Sequence, residues 1–209
     1  MFTTCKPLIL ASASPRRQQF LTDFGLQFTA LAPDIDETPL TGEKPDAFAR
    51  RMAEEKAEVI ARQHPTSWVI ARQHPTSWVI GADTVVTIEG RILGKPDDAT
   101  HALEILRSLQ GKKHQVITGL SLRCVQEDCT ENLSKTTEVT FAAFSNAILS
   151  AYIATGEPMD KAGAYGIQGK GGFLVRSITG SCSNVIGLPI STCISLLLHY
   201  KIIAPLQEK

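Results

Sequence analysis

The 209-residue chain has no apolar run long enough to cross a bilayer, and Met1 to Leu10 lacks the long apolar stretch of a signal peptide. Its five cysteines, Cys5, Cys124, Cys129, Cys182 and Cys193, form no CxxC pair and no Cys/His spacing of a zinc site; an odd, scattered set reads as reduced thiols. Excess charge is missing too. The 21 Lys and Arg balance 21 Asp and Glu, interspersed, which disfavours long nucleic acid but leaves room for a small anion held by a few placed cations. No low-complexity linker or charge block divides the chain. These absences predict one soluble, cytoplasmic domain over residues 1–209, without nucleic-acid or membrane partners.

Hydrophobic residues at 43% and charged residues at 20% are ordinary for a folded domain. Strand-like segments (Pro7–Leu10, Trp78–Ile88, Arg91–Leu93, Gln115–Val125, Thr136–Phe144, Phe173–Ile178) mix with helix-like ones. The helices are Pro15–Phe24, Pro45–Arg62, Asp97–Leu109, Ser145 to about Thr155 and Pro189–Tyr200. Gln126–Ser134 reads as a polar loop. The pattern predicts an α/β fold, a mixed twisted sheet with helices packed on it. One decapeptide, ARQHPTSWVI, occupies both Ala61–Ile70 and Ala71–Ile80. Solenoid repeats are longer and diverged, so this is a tandem duplication rather than repeat architecture. Only the second copy runs directly into Gly81-Ala82-Asp83. The central strand is therefore expected from Trp78, with the helix ending near Gln63, a break near Pro65, and the extra residues forming an added excursion.

Four constellations carry chemistry. In Ala11 to Arg17, Ser14 suits an N-cap and Pro15 the first helical position, so backbone N–H groups converge where an anion is welcome. Arg16 and Arg17 in that first turn oppose the helix dipole: either they serve something negative such as a phosphate chain, or this is a plain capped helix with solvated arginines. Lys56 interrupts the apolar stripe Ala49, Met52, Ile60; it either snorkels along the core edge or reaches into a site. Asp83 lies inside an apolar central strand, where an unpaired carboxylate is costly, so it is a metal ligand, a general base, or satisfied by local backbone or an arginine. Asp36 and Glu37 in a Pro-flanked loop, with Lys95 held extended before Pro96, add charge; carboxylates without a His/Cys cluster favour a hard cation, magnesium or manganese. Finally, the glycines of Asp160–Gly169 suit a loop that wraps a ligand closely, or a plain surface turn.

These blocks, in this order, closely resemble the Maf family of nucleotide pyrophosphatases. The matching pieces are Ser12-Ala-Ser-Pro-Arg-Arg17, Asp36-Glu37, Glu55-Lys56-Ala57, Gly81-Ala-Asp-Thr84, Gly94-Lys-Pro96, Thr118-Gly119, Asp160 to Gly169 and Asn184 to Pro189. The resemblance implies a fold similar to the inosine-triphosphate pyrophosphatases, a divalent cation, commonly a homodimer, and Asp83 as the proton acceptor. Arg16, Thr84 and Gln168 match the specificity positions of the branch acting on dTTP and UTP rather than the sister branch acting on 7-methyl-GTP.

The expected reaction is hydrolysis of a nucleoside triphosphate to the monophosphate and pyrophosphate. Asp83 is its catalytic residue. Ser14, Arg16, Arg17, Lys56, Thr84, Lys95 and Gln168 are the expected substrate contacts, and Glu37, Glu55 and Asp83 the expected metal ligands. Two other readings stand beside it: a nucleotide-binding regulator of cell division with little turnover, and a broader house-cleaning enzyme for modified nucleotides.

Overall fold

The computed structural model describes residues 1–62 and 76–206. Its first half contains the strands β1 (Phe2–Thr4), β2 (Leu8–Ala11), β3 (Thr29–Leu31), β4 (Trp78–Ile88) and β5 (Arg91–Leu93), and the helices α1 (Pro15–Asp23) and α2 (Pro45–Ala61). The second half adds α3 (Ala99–Leu109), β6 (Lys113–Cys124), β7 (Cys129–Phe141), α4 (Asn146–Ile153), β8 (Val175–Thr179), α5 (Cys182–Ile186), α6 (Ile190–His199) and β9 (Ile203–Pro205). Seven strands make one mixed sheet in the order β3-β2-β4-β6-β7-β8, with β5 beside β4, while β1 and β9 pair separately. The expected α/β architecture is what forms.

Strand β4 is central because its apolar residues are buried on both faces. One of its edges pairs antiparallel with β6 from Val79 to Thr87. The other pairs with β2 over Trp78–Gly81 and with β5 over Val86–Ile88. Between those two partners, residues 82–85 have no strand neighbour on that edge among the described residues. Asp83 and Thr84 lie in this gap.

Alternation along β4 sends successive residues to opposite faces. Val79, Gly81, Asp83 and Val85 face α2, which contributes Ala49, Met52, Ala57 and Ile60 to the same clusters. Trp78, Ile80 and Ala82 join Leu21 of α1 and Cys193 and Leu197 of α6 on the other face. Helix α2 lies unusually low on the sheet. A Cβ at Gly81 would collide with the Ala53 carbonyl oxygen, and one at Gly119 with the Ala49 carbonyl oxygen. The alanines four apart on α2 and the two strand glycines form one close seam.

Two expectations shift. The polar stretch 126–134 is a loop only as far as the turn at 125–128; from Cys129 onward it pairs residue by residue with β6. One paired edge and one wet face satisfy that strand, so it needs little apolar sequence. The helix expected from Asp97 begins at Ala99 and is capped by Asp98, whose Oδ1 accepts from the His101 amide at 2.8 Å. Helix α2 closes at Ala61; the expected end near Gln63 and the break near Pro65 lie outside the described residues, as does the first copy's Trp68–Ile70. The second copy's Trp78 does open β4.

Gly119→Ala is expected to destabilise the protein by about 3 kcal/mol or more, because backbone of a packed helix must move rather than a flexible side chain. Urea unfolding of the variant beside wild type measures it; equal midpoints would mean that α2 does not sit in this contact.

Candidate functional site

The gap beside β4 opens into a cleft of about 780 Å³. Ser14, Arg16, Arg17, Glu37, Lys56, Asp83, Thr84, Lys95 and Gln168 all line it. Glu55 does not. It points away on α2, its Oε1 3.1 Å from Arg51 Nη1, so the carboxylate proposed from sequence as a third metal ligand sits outside the cleft lining.

At the floor, Lys56 Nζ lies 2.6 Å from Asp83 Oδ1 and 2.6 Å from Glu37 Oε1. Lys56 does not snorkel to solvent: its side chain is only 8% exposed, and Asp83's is 14%. The close α2 seam is what lets a lysine from the helix reach a carboxylate on the strand. Burial on its own would raise the Glu37 carboxyl, but the Lys56 hydrogen bond and charge, with Lys95 and Arg17, hold it below the ordinary carboxylate range.

The other side of β4 is a hydrogen-bonded network rather than an open surface. Arg17 donates from Nε to the Gly187 carbonyl at 2.7 Å, from Nη1 to Ser12 Oγ at 3.1 Å and from Nη2 to Thr84 Oγ1 at 3.0 Å. Burial depresses the Arg17 guanidinium below its ordinary value, opposed by Asp83 and Glu37. Thr84 Oγ1 also meets Thr118 Oγ1 at 3.0 Å, and Thr118 Oγ1 donates to the Asn184 carbonyl at 2.9 Å. The hydroxyl of Thr84, expected as a substrate contact at a specificity position, is therefore engaged with protein partners, holding Arg17 in place. Arg16 is freer, its Nη2 3.7 Å from Asp160 Oδ2.

Ser14 does occupy the N-cap of α1, but its side chain makes no capping bond. Ser12 Oγ instead receives the Ser14 amide at 3.2 Å together with Arg17. Ser12, Thr118 and Asn184 are supports that residue-type reasoning did not assign. Asn184 is wholly buried, donating to the Val116 carbonyl and Thr137 Oγ1 at 3.1 Å each. Its sequence signal was its place at the head of the matching piece Asn184 to Pro189, which carried no role for it.

The loop that brings Glu37 to Lys56 is clamped from behind. Arg51 grips Glu43 in a two-point contact, Nε to Oε1 at 2.8 Å and Nη2 to Oε2 at 2.7 Å, and Nη2 also reaches the Thr38 carbonyl at 3.1 Å. Glu43 Oε2 accepts the Leu40 amide at 3.0 Å. The Arg51 hydrogen bonds pull the Glu43 carboxyl down to about 2.

Taken together, the cleft holds five cations (Arg16, Arg17, Lys56, Lys95, Lys161) against three carboxylates (Glu37, Asp83, Asp160) in a chain of zero net charge. The fold and site define an α/β protein with a cationic cleft at a strand gap, floored by two carboxylates that share a lysine. The family model described as "Maf-like protein" matches residues 7–200, and the chain belongs to that family. Among curated relatives, the "dTTP/UTP pyrophosphatase" of Desulfotalea psychrophila is 45% identical over 98% of this chain and 100% of its own. The protein of the same name from Myxococcus xanthus is 48% identical over 91% and 90%. A solved HAM1 protein from Coxiella burnetii overlays 66% of this chain and 74% of its own, with a TM-score of 0.41 and 18% identity.

The Glu43 clamp has a pH signature. Its folded value, about 2, lies below the ordinary 4.5, so the stability it contributes is complete above pH 4.5 and is lost as pH falls through 2. The urea midpoint of Glu43→Gln is expected below wild type at pH 7 and pH 5, with the gap narrowing toward pH 2. A gap independent of pH would show that the carboxylate charge is not what holds the loop.

Proposed function

We propose that this chain hydrolyses nucleoside triphosphates, dTTP and UTP foremost, to the monophosphate and pyrophosphate. The observation that carries the reading is the concentration of positive charge in one cleft of a neutral protein, around a carboxylate pair at its floor. The curated relatives' shared name, at 45–48% identity across nearly the full chain, supports the same reaction and the pyrimidine substrates.

The residues divide the work by chemistry. Arg16, Lys95 and Lys161 line the cleft beside Arg17 and neutralise a triphosphate along its length. Asp83 accepts the proton of the water that attacks the α-phosphorus; the bond from that phosphorus to the bridging oxygen breaks, and pyrophosphate leaves with the electron pair. Lys56, 2.6 Å from Asp83 Oδ1, orients the carboxylate and lies where charge develops in the transition state.

A divalent cation fits the donor set. Glu37 and Asp83 supply hard oxygen atoms, and among the described residues no group of three or more His, Cys, Asp or Glu is placed to hold an ion alone. Magnesium and manganese suit such a floor, since one or two carboxylates with substrate phosphates and water complete their coordination. Glu37 and Asp83 would hold the ion, which supplies neutralisation of the phosphate oxygens and acidification of water. With Glu55 turned toward Arg51, two carboxylates rather than three serve this role.

Pyrophosphate release from a panel of nucleotides, with and without magnesium or manganese, tests the reading. Turnover is expected on dTTP and UTP above other triphosphates, and removal by chelator should abolish it until metal is returned. Asp83→Asn should lower kcat by at least about a hundredfold in a protein that still folds, with a lower melting temperature because buried Lys56 loses one of its two carboxylate partners. Near-normal turnover by that variant would overturn the assignment of Asp83, and nucleotide binding without release would favour a regulator.

A further inference from the structure

The segment carrying Gln168 to the cleft runs between short 3-10 turns and has almost no apolar burial of its own. A carboxylate outside the cleft lining holds it. Glu157 Oε2 accepts the Lys170 amide at 2.8 Å, and Oε1 accepts the Gly171 amide at 2.9 Å and the Tyr152 hydroxyl at 3.1 Å. Tyr152 Oη in turn accepts the Gly166 amide at 3.2 Å. Both ends of residues 166–171 are thereby tied to one Glu–Tyr pair, with Ile167, Gln168 and Gly169 arched between.

The glycines are the means of close approach. A Cβ at Gly169 would come within 2.5 Å of Glu157 Oε2, and one at Gly171 would collide with the Tyr152 hydroxyl. A Cβ at Gly166 would stand 2.7 Å from Lys161 Cε, and Lys161 Nζ itself donates to the Glu157 carbonyl. At Gly171 the obstacle is a ring hydroxyl together with the Gly166 carbonyl oxygen at 2.9 Å, so a bulkier residue there would push the backbone off the carboxylate. Burial would raise the Glu157 carboxyl, but the Gly171 and Lys170 amides outweigh it and keep the group an acceptor.

We propose that Glu157 is a positioning residue for substrate choice: through the amides of Lys170 and Gly171 it fixes where Gln168 stands, and so which nucleobase the cleft accepts. This rests on the triphosphate reading above. Glu157 touches neither phosphate chain nor reacting atoms, since it lies behind the loop while Lys161, Gly166 and Gln168 line the cleft. Its loss should leave the Asp83 chemistry intact and blur selection. A site built to hydrogen-bond a base discriminates only while its polar groups stay in register with it.

The test compares kcat/KM for dTTP and dCTP in the full chain as wild type, Glu157→Gln, Gln168→Ala and the double variant. Glu157→Gln is expected to reduce the dTTP:dCTP ratio about tenfold, through KM for dTTP, with kcat on both substrates nearly kept. The double variant should discriminate no worse than Gln168→Ala, because both act through one group. Amide exchange at Lys170 and Gly171 supplies a readout independent of turnover: faster in Glu157→Gln and unchanged in Gln168→Ala.

Equal losses on both substrates, or unaltered exchange, would overturn the proposal. If Glu157→Gln does not fold, Tyr152→Phe removes the acceptor of the Gly166 amide and the hydroxyl donated to Glu157, and is judged by the same ratio. Wild type that releases pyrophosphate from no triphosphate sinks the functional reading and this role together. A discriminating wild type matched by Glu157→Gln sinks only this role.

Discussion

Everything at the floor of the cleft depends on how close α2 lies to β4 and β6. Ordinary side chains on the sheet would hold a helix farther away, and Lys56 would then meet solvent or the core edge. Gly81 and Gly119 remove that spacer, and Ala49 and Ala53 bring the helix backbone down onto them. Lys56, one turn along from Met52 and beside Ala57, then reaches Asp83 on the same sheet face. A buried carboxylate and a buried ammonium each carry a solvation cost of several kcal/mol, and they become tolerable only as a hydrogen-bonded pair. The seam and the ion pair are one design: close packing creates the pair, and the pair makes two charges acceptable inside the packing.

Above this rigid floor the walls are loops, and loops that bind must be held without a core of their own. Two of them solve the problem in the same way, with a charged side chain approaching from behind. Arg51 on α2 grips Glu43 and the Thr38 carbonyl, so the Glu37 loop is referenced to the helix that carries Lys56. Glu157 collects two backbone amides and a tyrosine hydroxyl, referencing the Gln168 segment to α4 through Tyr152. Arg17 is a third case, tying the α1 loop to Thr84 and Gly187. Several charged groups near the cleft therefore position the site, which is why a count of charged residues overstates the number available to a ligand.

That distinction separates what was legible in the sequence from what was not. Asp83 could be read because a charge inside an apolar strand has few explanations, and Lys56 because it broke a helical stripe. Glu55 lies outside the cleft lining for a geometric reason. Adjacent positions on a helix are turned by about 100°, and the step from Lys56 to Glu55 turns a side chain from the cleft to Arg51. Thr84 was read as a substrate contact, but hydroxyls are small and local partners decide their use; no pattern in one chain shows that Arg17 and Thr118 will claim it. Strands were legible where both faces are apolar, as in β4, and illegible where pairing alone makes them, as in the polar start of β7 and the three-residue β3. The clamps are invisible for the same reason: Arg51–Glu43 and Glu157–Gly171 are contacts between ordinary residue types, created only when the chain folds back.

The duplicated decapeptide shows the seam choosing a register. Two identical Trp-Val-Ile segments are available to lie beside Leu8, Ile9 and Leu10, and their own side chains cannot decide between them. The next three residues can. After the second copy come Gly81, Ala82 and Asp83; after the first come Ala71, Arg72 and Gln73. With the first copy in the strand, the alanine methyl would stand where a Cβ meets the Ala53 carbonyl. An arginine would fall at the wholly buried position of Ala82, inside the cluster with Ile80 and Leu120. Lys56 would face a neutral glutamine where the carboxylate is. Steric overlap, a buried unpaired charge and a broken ion pair all oppose that register, and each costs on the order of kcal/mol. The arrangement that keeps the helix low on the sheet is thus also the one that selects Trp78 as the start of β4, and the carboxylate arrives at the cleft as a consequence.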